Sequence, residues 1–178
     1  MSAGLFAAIA GVIGAAIASL AFAHSASDAY LMLDATKAAA STASRDTVLH
    51  GQWDIALRDL DFVLSLDANG DGDITWAELR TRQRDIADYA YRYLRIADAG
   101  VPCTIRPTRM MVDDHADGAY AALFFDVTCP GRPQKIGVDY RLFFAIDPSH
   151  RGVFVFRSGA GTATALLSPE TATIELPP

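Results

Sequence analysis

Asp67, Asn69, Asp71, Asp73, Thr75 and Glu78 stand at the spacing of a twelve-residue EF-hand calcium loop. Side-chain oxygens of Asp67, Asn69 and Asp71 take loop positions one, three and five. Asp73 lends its carbonyl at seven, Thr75 stands at nine, and Glu78 brings a bidentate carboxylate at twelve. The chemistry this set suits is replacement of the hydration shell of a hard cation by oxygen donors, with Ca2+ as the expected cofactor. Gly72, at position six, permits the positive φ of the sharp turn there. Ile74, at position eight, is the apolar residue that zips one such loop to a partner loop.

No partner loop of the same quality follows. Asp113-Asp114-His115-Ala116-Asp117-Gly118 also places a glycine sixth, but its twelfth position is Phe124 and its flanks alternate as strands do, which reads as a hairpin turn. A single loop favours a structural calcium site, in the affinity range of about 10⁻⁴ to 10⁻³ M found for extracellular modules. Two helices must position it. Asp59 is placed to N-cap a short helix over Leu60 to Leu66, and a longer helix after the loop presents Leu79, Ile86, Ala90, Leu94 and Ala97 on one stripe, with Gly100 near its end. Arg82 and Gln83 occupy positions that are apolar in paired EF-hands, so the unit, at about 59–99, is expected to dock on a sheet by a narrow stripe.

Ala3 to Ala23 carries no charge and ends in Ala21-Phe22-Ala23, a small-x-small cleavage pattern. Residues 1–23 therefore read as a signal peptide, and 24–178 as one exported domain, periplasmic or secreted. The apolar run is also long enough to cross a bilayer, so an uncleaved N-terminal anchor facing the periplasm is the alternative, and the only route to a membrane. Two cysteines in an exported chain suggest a disulfide. Cys103 and Cys129 are equidistant from Ala116, so a hairpin of strands 103–112 and 119–129 sets them opposite each other, pairs Ile105 with Val127 and Met111 with Ala121, and closes a loop stabilising by about 3 kcal/mol.

The remaining pattern is of strands: 28–34, 52–57, the strict alternation Val138, Tyr140, Leu142, Phe144, Ile146, then 153–156 after a turn at Asp147 to Gly152, and short runs at 163–168 and 172–176. Eight short strands make the expected fold class mainly β, an Ig-like β-sandwich with the helix–loop–helix EF-hand unit inserted. The formal charge of −6 and the absence of a basic stripe argue against nucleic acid. Arg80, Arg82, Arg84, Arg92 and Arg95 on the second helix read as a solvated face, with an anion or headgroup site as the alternative. No catalytic motif is found, so the chain is not expected to be an enzyme; a hydrolase using acids such as Asp113 and Asp114 is the weaker alternative.

The segments His24 to Leu33, Gly51 to Asp61 and Tyr140 to Phe144 with Asp147 to Gly152 resemble small bacterial exported proteins found beside, or fused before, membrane proteins of the HupE/UreJ type. The resemblance implies an accessory role next to a nickel- or cobalt-type permease as partner and supplies no catalytic residues. Transition-metal handling (Ni, Co or Cu) is thus the alternative function. After cleavage at Ala23 the free amine and imidazole of His24 would chelate Cu(II) or Ni(II). His150, in its proline-containing turn, is expected to make a structural hydrogen bond.

Overall fold

A computed structural model describes residues 27–40 and 46–177 of the chain. The described residues are mainly β, with ten strands in two sheets and two helices. In chain order they are β1 (Asp28–Ala40), β2 (Thr47–Ala56), α1 (Leu57–Leu64), α2 (Trp76–Arg92), β3 (Leu94–Asp98), β4 (Val101–Pro102), β5 (Thr104–His115), β6 (Gly118–Cys129), β7 (Ile136–Tyr140), β8 (Arg151–Ser158), β9 (Gly161–Leu167) and β10 (Thr173–Leu176). The larger sheet runs β5-β6-β2-β1-β8-β9 and the smaller β10-β7-β3-β4. Neighbours are antiparallel except β1 and β8, which run parallel from Asp28↔Arg151 to Asp34↔Arg157.

Period-two burial builds one shared core. Leu31 and Leu33 of β1, Trp53 and Ile55 of β2, Leu123, Phe125 and Val127 of β6, and Phe154 and Phe156 of β8 face it from the larger sheet. Leu94, Ile96, Ile136, Val138 and Tyr140 face it from the smaller. Trp53 meets Tyr140 edge to face across the two layers at 5.5 Å between centroids. Packing is tight at Gly51: a Cβ there would lie 2.2 Å from Phe125 Cζ on the neighbouring strand.

Several elements depart from the sequence reading, each for a long-range reason. The stripe expected to run to Ala97 divides at Arg92. Leu79, Ile86 and Ala90 are the buried face of α2, but Leu94 and Ile96 belong to β3, because pairing Leu94↔Tyr140 and Ile96↔Val138 satisfies the backbone of a strand whose residues also fit a period of two. Asp59 is not an N-cap: α1 begins three residues after Asp54, directly from β2, with Ala56 as N-cap and no side-chain cap bond. The alternation from Val138 to Ile146 is a strand only to Tyr140. Beyond it the chain turns, with Phe143 at φ 59° and the amides of Ile146 and Asp147 both donating to the Phe143 carbonyl.

The hairpin is the most consequential difference. Ile105↔Val127 holds as expected, but the register shifts between Pro107 and Arg109, so Met111 faces Ala122 and not Ala121. Thr108 is the extra residue of a β-bulge. In consequence Met110, only 6% exposed, enters the core, and Met111 is half exposed.

Candidate functional site

The loop between α1 and α2 is closed from within by its own oxygens. Asp67 Oδ1 accepts from the Gly70 amide (2.7 Å) and Oδ2 from the Gly72 amide (2.9 Å). Asn69 Oδ1 accepts from Asp71 N (2.9 Å), and Asp71 Oδ1 from Asp73 N (3.0 Å). Gly70 and Gly72 sit at φ 73° and 89°, conformations that glycine adopts without strain. Glu78 ties the two ends: Oε1 accepts from Ala68 N (3.0 Å) and Oε2 from Thr75 N (2.9 Å) and Thr75 Oγ1 (2.7 Å). With the reverse bond from Glu78 N to Thr75 Oγ1 (3.3 Å) this is a capping box that starts α2. These donors, the Thr75 amide first, hold the Glu78 carboxyl below its usual range.

The donors fit a hard cation. Asp67, Asp71, Asp73 and Glu78 crowd four carboxylates into this exposed loop, and among the described residues none forms an ion pair with Lys or Arg. Such a set gains from a divalent ion, which Asp67, Asn69, Asp71 and Glu78 would hold through side-chain oxygen and Asp73 through its carbonyl. The ion would supply charge neutralisation and a cross-link between loop ends.

Two contacts seat the unit on the rest of the molecule. Arg82 of α2 donates to the carbonyls of Leu64 (2.9 Å) and Ser65 (3.1 Å), which end α1 and lack helical partners. Asp61 Oδ1 accepts from the amides of Leu66 (2.6 Å) and Asp67 (3.0 Å) at the loop entrance. The role of Arg82 escaped the sequence reading, in which it marked the lack of an apolar partner and belonged to a solvated arginine face. Ile74 packs against the core and lines a hollow with Leu57, Trp76 and Leu79 and with Met111 and Ala119 of the β5–β6 hairpin.

Of the other predicted residues, His24 and the segment 1–23 lie outside the described residues. Among those described, no helix is long and apolar enough to cross a membrane. The sulfurs of Cys103 and Cys129 stand at disulfide distance, with Cα atoms 4.5 Å apart just beyond the β5–β6 ladder. His150 makes the expected structural bonds and is fully buried. Ser27 Oγ donates to Asp59 Oδ2 (2.8 Å), so its contact with His150 Nδ1 (2.6 Å) must be donation by the imidazole. Nε2 then accepts from the Tyr140 hydroxyl (2.7 Å). Burial pushes this imidazole down to about 4, keeping it neutral, while Phe143 stands edge-on to it at 5.1 Å.

His50 donates to Asp126 (3.0 Å), which also pairs with Arg106 (2.9 Å). His115, which stands at metal-site spacing from no other histidine in the sequence, lies beside Asp54 and Asp113 in space. No local signal marks Asp54; only strand pairing brings it there. No protein-family model matches the chain, and no curated protein sequence matches it.

Proposed function

We propose that this chain is an exported calcium-binding module of the bacterial cell envelope, an accessory or interaction domain in which Ca2+ is mainly structural. In this reading 57–92 is a single EF-hand set into an Ig-like sandwich. The observation that carries it is the bridge made by Glu78, whose two oxygens bond amides at opposite ends of the loop while the side chains of Asp67, Asn69 and Asp71 turn inward beside it. A cation bound there would join α1 to α2 and so to the hairpin beneath Ile74. The partner proposed is a HupE/UreJ-type membrane protein. Transition-metal handling through His24 is the alternative, and it rests on a residue outside those described.

Thermal melting decides between a structural ion and an empty turn. Ca2+ at a hundredfold excess over its dissociation constant should add about 2.7 kcal/mol relative to EDTA, because the ligands are dispersed in the unfolded chain. Glu78→Gln should abolish the shift. An unchanged midpoint in the wild-type chain would refute the structural role. Export is tested separately: non-reducing peptide mapping of periplasmic material should recover Cys103 joined to Cys129, and two free thiols would contradict the compartment.

A further inference from the structure

The bulge at Thr108 has an effect on the opposite face of the larger sheet. In the register that holds from Thr104 to Pro107, Asp113 would pair with Ala119 and point to the core side. The extra residue changes the parity, so Asp113 pairs with Tyr120 and Met111 with Ala122, which in turn pairs with Asp54. Directly opposed residues share a face. Asp54 of β2 and Asp113 and His115 of β5 thus come together on the side of the sheet away from Trp53 and Ile55.

There, one ligand atom from each of the three lies within 4.8 Å of the others, with His115 Nε2 3.5 Å from Asp54 Oδ2. The imidazole stacks on Tyr120, at 4.1 Å between centroids, and on Tyr30, at 5.0 Å, the two tyrosine rings themselves standing 5.9 Å apart. Tyr120 is fixed in turn by its hydroxyl, which donates to Asp117 Oδ2 (2.9 Å), the carboxylate that Arg58 also pairs with (3.3 Å). Asp54 is only 7% exposed and accepts from the amide of Gln52, at 2.9 and 3.1 Å, with His115 as its other side-chain partner. Among the described residues no Lys or Arg pairs with it. A buried carboxylate beside a second one is costly without a compensating cation.

We propose that Asp54, Asp113 and His115 form a second cation site, suited to a divalent ion of borderline softness such as Zn2+. One imidazole and two carboxylates leave coordination positions for water, and the nitrogen donor favours late divalent metals, in contrast to the oxygen-only loop. The buried Asp54 and the stacked His115 are preorganised, and Asp113, on the exposed edge, completes the set on binding. The site is independent of the calcium loop and of His24.

Zn2+ titration by calorimetry, run on the full chain in millimolar Ca2+ and repeated with Co2+ to read its visible d–d absorption, tests this. One-to-one binding is expected, weakened at least about tenfold by His115→Ala and by Asp113→Asn, and unchanged by Glu78→Gln and His24→Ala. Asp113 is exposed, so its variant keeps the fold, which its melting curve in calcium verifies. Absence of Zn2+ binding overturns the proposal. So does binding that survives both His115→Ala and Asp113→Asn, or that is lost with His24→Ala.

Discussion

The loop from Asp67 to Glu78 and the buried polar groups around His150 manage charge in opposite ways. The loop leaves its carboxylates in water, where mutual repulsion is screened and their oxygens bond the amides of the loop itself. Ser27, Asp59, His150 and Tyr140 instead form a chain of hydrogen bonds in which each donor has one acceptor and the imidazole is kept neutral by burial. The difference is one of consequence. If the loop binds an ion as proposed, removing one of its carboxylates lowers affinity for that ion, whereas disturbing the buried chain strands a polar group and lowers the stability of the whole fold.

Acidification should produce the largest effect and should strike the interior first. His150 takes up a proton at an ordinary 6.5 when unfolded but only at about 4 when folded. Between those values the unfolded chain binds the proton and the fold refuses it, so stability is complete above 6.5 and falls as pH drops through the window, by on the order of 3 kcal/mol. Asp54 and Asp59, raised mainly by burial, bind protons earlier in the fold than in the unfolded chain and offset part of the loss at its acid end. Urea unfolding at pH 7 and pH 4.5 measures the difference. Imidazole NMR should show His150 as the neutral Nδ1–H tautomer down to the lower pH; a signal titrating near 6.5 would rule out this account.

A steric test of the interior comes next in size. Gly51→Ala forces a methyl into the Phe125 ring, which is itself packed edge-on to Tyr91 at 5.6 Å, so the clash has no easy relief. The expected cost is about 1–3 kcal/mol. The Ca2+-induced gain in stability should be the same as in the wild type, because Gly51 touches nothing in the loop. A variant with an altered calcium response would show that the two regions are coupled.

The smallest effect is expected at their junction. Arg82→Ala removes the bonds to the Leu64 and Ser65 carbonyls and should cost about 1 kcal/mol. Part of that cost should disappear in saturating Ca2+, since an ion bound as proposed would join α1 to α2 by another route. Equal costs with and without calcium would mean that Arg82 and the ion act on separate elements.

The turn from Asp67 to Glu78 between two helices was legible because its acids and glycines lie within one contiguous stretch, whereas the capping box of Thr75 and Glu78, a relation only three residues long, went unread. The opposition of Cys103 and Cys129 was legible because a hairpin makes near neighbours in sequence into partners in space. Each of these depends on short-range geometry that residue types alone specify. What only the tertiary structure decided are matters of pairing and parity. The alternation from Val138 to Ile146 carries no mark that the chain must turn after Tyr140 to wrap Phe143 and Phe144 around a buried His150. Leu94 fits a helical period with Ala97 and a strand period with Ile96, and pairing with β7 chose the strand. Thr108 is an ordinary residue in a strand. Its bulge nevertheless turned Met110 inward and brought Asp113 and His115 to Asp54, because a side-chain period of two makes one inserted residue enough to exchange the faces of everything after it.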